Sequence, residues 1–160
     1  MADIMVSQSN TTDAQAAPML ASSCREAQFC SMTQADLVRV MEIERQAYPW
    51  PWSEQNMLGS MANGHCCQLL RDRQGQVLGY FVAMAGADEV HLLNITVAPD
   101  HQRQGWARVM LDALCDWARE VGAQWVWLEV RISNERALQV YEQYGFRRVR
   151  SEEHTSELQS

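Results

Sequence analysis

The most chemically suggestive stretch of the chain is Gln102-Arg103-Gln104-Gly105-Trp106-Ala107, where small residues at 105 and 107 open a helical pattern. The N–H groups of a helix's first turn lack intrahelical partners. Together with the helix dipole they form an anion site, for which a pyrophosphate is a natural guest. A plain strand-to-helix turn has the same composition, so the segment gains meaning only from its surroundings. All 13 basic residues are arginine, so any phosphate contact must use backbone N–H groups or Arg, with Arg103 and Arg108 nearest. The five cysteines, Cys24, Cys30, Cys66, Cys67 and Cys115, are odd in number and follow no framework, which points to reduced thiols in a cytoplasm. His65-Cys66-Cys67 suggests a metal, but no CxxC or HxxxH spacing accompanies it. Adjacent cysteines do not easily face one ion, and no metal is expected.

The elements that must position these residues fit one domain. The chain has 160 residues, 47% hydrophobic and 21% charged, which suits a soluble globular domain with a sizeable core. No apolar run approaches the roughly 18 residues of a membrane helix, and no basic-then-apolar opening suggests a secretory signal. A net charge of -7 argues against general binding to nucleic acid or anionic lipid. A cytoplasmic location is expected.

Glu26 to Ser31 reads as a strand. Thr33 is placed to cap a helix on which Leu37, Val38, Met41, Ile43 and Ala47 share a face. Tyr48-Pro49-Trp50-Pro51-Trp52 ends it. Ser53 can cap a second helix, stopped by Asn63-Gly64. Cys66 to Arg71 and Val77 to Ala85 flank Asp72-Arg73-Gln74-Gly75, a hairpin turn. Glu89 to Val97 is another strand. Gln104 to Val121 carries Ala107, Met110, Leu111, Leu114, Trp117 and Ala118 at helical steps. Gln124 to Arg131 is apolar enough for a buried strand, and Asn134 to Tyr144 is a helix leading through Gly145-Phe146 into a new strand. The order, strand, two helices, three strands, helix, strand, helix, strand, predicts a mixed sheet with helices on its faces.

Both ends are expected to lie outside the domain. Residues 1–24 are rich in Ser, Thr, Ala and Gln without a sustained period, so they are expected to be a disordered leader. Residues 151–160, SEEHTSELQS, resemble the translation of a sequencing-adapter oligonucleotide and are expected not to belong to the fold. The domain is therefore placed at 25–150.

Context gives the Gln102–Ala107 segment its meaning. It follows Leu93-Asn94-Ile95-Thr96-Val97-Ala98-Pro99 and precedes Trp127-Leu128-Glu129-Val130, then Asn134, Tyr141 and Gly145-Phe146. This constellation resembles the GNAT superfamily of N-acetyltransferases, whose pyrophosphate loop reads Q/R-x-x-G-x-G/A. Trp-Leu-Glu-Val-Arg, Ser-Asn, Tyr-Glu before Gly-Phe, and Pro51-Trp52-Ser53-Glu54 are similar to the bacterial RimI group. Members of that group acetylate the N-terminal alanine amine of a small-subunit ribosomal protein.

The resemblance implies an α/β (α+β) GNAT fold, a mixed, mostly antiparallel sheet whose two parallel strands splay, with flanking helices. In relatives a loop and a final strand follow the strand after Gly-Phe. This sequence ends first, so an unfinished sheet with an exposed edge is expected, and with it poor solubility or weak activity. The resemblance further implies acetyl-CoA as cosubstrate, held by backbone at Ile95 and Val97, by the N–H groups of Gln102, Arg103, Gln104, Gly105, Trp106 and Ala107, by the charge of Arg103 and Arg108, and by Asn134. Glu129 matches the family's general base and Tyr141 its general acid. An α-amine titrates at about 7.7–8.0 against about 10.4 for Lys, so a carboxylate suffices as base, directly or through water. A backbone N–H near Val97 would stabilise the developing oxyanion.

Tyr48, Trp50 and Trp52 suit either a peptide groove or satellite packing. His91 reads as a hydrogen-bonded sheet histidine rather than a proton relay. A small-molecule amine as acceptor, or a non-catalytic acyl-CoA-binding module, are the competing functions. The sequence leaves the oligomeric state open, with a protein N-terminus as partner and no direct nucleic acid or membrane contact.

Overall fold

The computed structural model describes residues 3–9, as backbone, and residues 26–149. The strands are β1 (Asp3–Ser9), β2 (Gln28–Ser31), β3 (Cys66–Arg71), β4 (Val77–Ala85), β5 (Glu89–Val97), β6 (Trp125–Arg131) and β7 (Arg147–Val149). The helices are α1 (Leu37–Ala47), α2 (Glu54–Ala62), α3 (Trp106–Glu120) and α4 (Glu135–Tyr144), with 3-10 turns at Gln34–Asp36 and Pro99–His101. The strands form one seven-stranded sheet in the order β2-β3-β4-β5-β6-β1-β7. Only the β5–β6 pair is parallel among these strands, from Glu89↔Trp125 to Leu92↔Leu128. The expected mixed, mostly antiparallel sheet with flanking helices is present.

Local chemistry explains the boundaries. Asp36 reaches back to the Thr33 N–H at 2.8 Å, which organises the turn ahead of α1. Ser53 caps α2 by accepting from the Asn56 N–H at 3.1 Å. In the β3–β4 hairpin, Asp72 accepts from the Gln74 and Gln76 N–H groups, each at 2.9 Å. On α1 the buried residues are Leu37, Val40, Met41, Ile43 and Glu44. Val38, expected on the core face, is 74% exposed, because one helical step of about 100° carries it away from Leu37 toward solvent.

Two cores sandwich the sheet. On one face α3 and α4 cover Phe81, Val90, Leu92, Val126 and Leu128. On the other α1 and α2 cover Leu69, Tyr80 and Val82. Each fully buried Leu or Phe here contributes about 1.5–3 kcal/mol. Gly79 allows the α3 face to close: a Cβ there would stand 2.5 Å from the Thr96 carbonyl oxygen and 2.9 Å from the Met110 methyl.

The decisive irregularity is in β5. Val82 pairs with Asn94 but Ala83 pairs with Leu92, so Leu93 is a bulge. The extra residue reverses which side chains face which core. Leu92 lies with the α3 core, whereas Val82 and Tyr80, register partners of Asn94 and Thr96, lie on the α1 face. The bulge directly follows Leu92, the last residue of β5 that pairs with β6. From there the parallel strands part.

Three expectations are revised. The leader expectation covers residues 1–24, but Asp3–Ser9 is a strand lying antiparallel to both β6 and β7. Its Ile4-Met5-Val6 run meets strands whose backbone groups need partners. The expected unfinished sheet is correspondingly different: β1 takes the place beside β6, and the edges fall at β2 and β7. Finally, β6 is buried on one face only: Val126, Leu128 and Val130 are buried, while Trp125, Glu129 and Arg131 are exposed. Its tryptophans lie against each other on the outer face, with ring centroids 6.1 Å apart. The SEEHTSELQS tail lies outside the described residues.

Candidate active site

A cleft of about 780 Å³ opens where β5 and β6 diverge. The residues expected to act together converge on it: Ile95, Val97, Gln102, Arg103, Gly105, Trp106, Ala107, Arg108, Glu129, Asn134 and Tyr141 all line it. Gln104 does not. Its amide oxygen instead accepts from the Trp106 indole N–H at 2.9 Å, bracing the turn from behind.

The α3 end of the cleft is built from backbone. Gly105 caps α3 at φ +92° and Arg103 stands at φ +64°. Left-handed residues in a tight turn point successive N–H groups into one concavity, which attracts an anion. The first turn of α3 carries no acidic residue, and the Arg108 guanidinium lies over the Tyr144 ring, 5.7 Å from its centroid. This cradle fits a pyrophosphate.

Backbone also lines the gap. Ala98 N–H bonds to the Leu78 carbonyl of β4. By the two-residue alternation of an antiparallel ladder, Ile95 and Val97 turn their N–H and C=O groups toward the gap. Their carbonyls accept from side chains: the Tyr48 hydroxyl reaches the Ile95 oxygen at 2.8 Å, and the Gln102 amide reaches the Val97 oxygen at 3.3 Å. Asn134 caps α4, its side-chain oxygen accepting from the Ala137 N–H at 3.2 Å, which leaves its NH2 group as a donor.

Glu129 and Tyr141 stand on opposite sides of the sheet. β6 turns Val126, Leu128 and Val130 into the α3 core, so Glu129, one step out of phase, projects toward the α1 side. Tyr141, on α4, packs against the α3 core, its ring edge-on to Phe146 at 6.0 Å. Burial, and to a lesser degree the nearby Tyr48, pushes its phenol well above the usual tyrosine value, so the hydroxyl keeps its proton at neutral pH.

The α1–α2 loop forms the remaining wall. Tyr48 is pushed up to about 12, chiefly by burial, against a lowering hydrogen bond from Thr96. Trp52 packs on the α1 core. Trp50 is 66% exposed, and the Arg131 guanidinium sits 5.1 Å from its ring centroid. The loop thus both lines the cleft and packs on the α1 core. Sequence reasoning missed Glu44, Asn94 and Thr96, which are buried beneath it. The signal for Glu44 was a carboxylate four residues after Val40 on an apolar helical stripe.

Other singled-out groups lie elsewhere. His91 bonds Glu89 at 2.9 Å, as expected of a sheet histidine. Burial pushes the Cys66 thiol up to about 11 and raises that of Cys67 as well. Among the described residues no cluster of His, Cys, Asp and Glu could hold a metal ion, and no helix is long and apolar enough to cross a membrane.

Residues 37–146 match the model of the acetyltransferase (GNAT) family. The chain is 35% identical over 116 residues to the [ribosomal protein bS18]-alanine N-acetyltransferase of Escherichia coli, covering 72% of this chain and 78% of the relative. The crystal structure of the ribosomal-protein-S18-alanine N-acetyltransferase from Escherichia coli superposes with a TM-score of 0.70 at 34% identity, covering 76% of this chain and 77% of that one. Arabidopsis thaliana NAA60 in complex with acetyl-CoA shares the fold, at a TM-score of 0.68 and 18% identity, over 78% of this chain and 88% of that one.

Proposed function

The chain is an acyltransferase of the acetyltransferase (GNAT) family, and we propose that it moves acetyl from acetyl-CoA to the N-terminal α-amine of a ribosomal protein that begins with alanine. Relatives named for this reaction support the acceptor. The observation that carries the reading is the placement of Glu129 and Tyr141 on opposite faces of the sheet at the gap between β5 and β6.

Acetyl-CoA, when bound, supplies a thioester carbonyl as electrophile. The cradle at Gln102 to Arg108 and the NH2 of Asn134 would hold its polar arm, and the gap-facing backbone of Ile95 and Val97 would orient it. On the α1 side Glu129 takes the proton of the incoming ammonium, directly or through water, as its exposure permits. On the α4 side Tyr141, kept protonated by burial, donates to the sulfur as it leaves. A gap-facing N–H of β5 donates to the oxygen on which charge builds. The catalytic unit spans 25–150, with Asp3–Ser9 added to its sheet between β6 and β7 and residues 151–160 outside it. An acceptor of this kind places the enzyme in the cytoplasm.

The test is to compare turnover and acetyl-CoA binding in Glu129→Gln and Tyr141→Phe. Turnover should fall in both while calorimetric acetyl-CoA affinity stays within about two-fold, since neither group belongs to the phosphate cradle. Unchanged turnover would remove both roles.

A further inference from the structure

We propose that Glu44 is a positioning residue for the acceptor: its buried carboxylate pins the α1–α2 loop so that Trp50 stands opposite Arg131 beside Glu129. This rests on the peptide-acceptor reading above. Glu44 is 1% exposed and lies in the last turn of α1, where the helix dipole disfavours an anion. A carboxylate in such a place must be compensated by hydrogen bonds. It accepts from the Tyr80 hydroxyl at 2.6 Å, from the Asn94 amide at 3.2 and 3.3 Å, and from the Trp52 backbone N–H at 2.9 Å. Every one of these donors is neutral.

The network ties the loop at both ends. Trp52 is held by Glu44 itself. Tyr48 gives its hydroxyl proton to the Ile95 carbonyl, and its oxygen lies 3.0 Å from the Thr96 hydroxyl. Thr96 in turn donates to the Asn94 side-chain oxygen at 2.7 Å, and Asn94 returns to Glu44. Trp50 sits between the two anchors, free of the core and stacked with Arg131 of β6. The β5 bulge is what brings Asn94 and Thr96 to this face. The same irregularity therefore opens the gap and supplies the donors that fix the acceptor wall.

Replacing the carboxylate with an amide leaves one fewer acceptor and sets an NH2 against donors. In Glu44→Gln, the KM for an alanine-starting peptide should rise about three-fold, the scale of losing a placed cation–π contact, while the KM for acetyl-CoA stays unchanged, a split that general destabilisation would not produce. Hydrogen exchange supplies an activity-independent readout: amides of residues 48–57 should exchange at least about ten-fold faster, with α3 and β5 unchanged. Tyr80→Phe keeps the shape, removes one donor, and should move the same segment by a smaller factor. Equal rises in both KM values, or exchange at 48–57 matching wild type in both variants, would overturn the proposal. So would acceleration spread over the whole sheet in Tyr80→Phe. Failure of the wild type to acetylate any peptide would defeat the acceptor reading instead, and the exchange result would still decide whether Glu44 pins the loop.

Discussion

The two walls of the cleft are made of different material. The α3 wall is backbone: left-handed Arg103 and Gly105, the first turn of α3, and the gap-facing groups of Ile95 and Val97. The α1 wall rests on side chains: Glu44, which accepts from the Trp52 N–H and from Asn94, and Tyr48, whose hydroxyl donates to the Ile95 carbonyl beside Thr96. A backbone wall suits a ligand that never changes, because its geometry depends on few residue identities. A side-chain wall can be retuned to one acceptor without touching the cofactor. Glu129 and Tyr141 project to the two sides, so in the proposed mechanism each chemical step has its own wall.

The largest expected effect tests the division itself. Glu129→Gln should lower kcat by about 100-fold or more, in keeping with removal of a positioned base, with acetyl-CoA affinity preserved; steady-state kinetics and calorimetry check it. A loss of acetyl-CoA affinity would join the two walls into one. Next, Gly105→Ala forces an L side chain into the left-handed region, at a cost of about 1–2 kcal/mol. The KM for acetyl-CoA should rise several-fold, with the peptide KM unchanged. Trp50→Ala should do the reverse, raising the peptide KM about three-fold, the scale of a lost exposed cation–π contact of about 0.5–1 kcal/mol.

The smallest effect is one of pH. Burial raises the Tyr141 phenol, so the protonated form persists through the alkaline range. kcat should therefore climb as the amine loses its proton and then stay level to about pH 10, near the ordinary tyrosine value. A fall in kcat below that pH, absent from Tyr141→Phe, would show the phenol ionising early.

This difference between walls also decided what could be read in the sequence. Gln102 to Ala107 stands out through the glycine that the left-handed backbone at 105 favours, and its sequence surroundings gave it meaning. Glu129, Asn134 and Tyr141 followed from the resemblance built around that motif. The side-chain wall was largely illegible. Glu44 shows only as a carboxylate in step with Val40 on an apolar helical stripe, and Asn94 and Thr96 look like ordinary strand residues until the Leu93 bulge reverses their faces. The one sign of that bulge was a change of phase in the β5 alternation, Val90 and Leu92 before it and Ile95 and Val97 after it, at the Leu92-Leu93 doublet. Asp3–Ser9 was missed for a related reason: a short polar strand with Ile4-Met5-Val6 at its centre gains its structure from β6 and β7, and a window on its own composition shows only disorder.

The most direct test of the whole account is a mass-spectrometric acetylation assay of the wild-type chain. Two peptides would be offered, one starting with the alanine of ribosomal protein bS18 and one with a blocked N-terminus and a free lysine. Acetyl on the α-amine of the first and none on the second is the expected result. Acetylation of the lysine peptide at a comparable kcat/KM, or of neither while acetyl-CoA binds, would contradict the account.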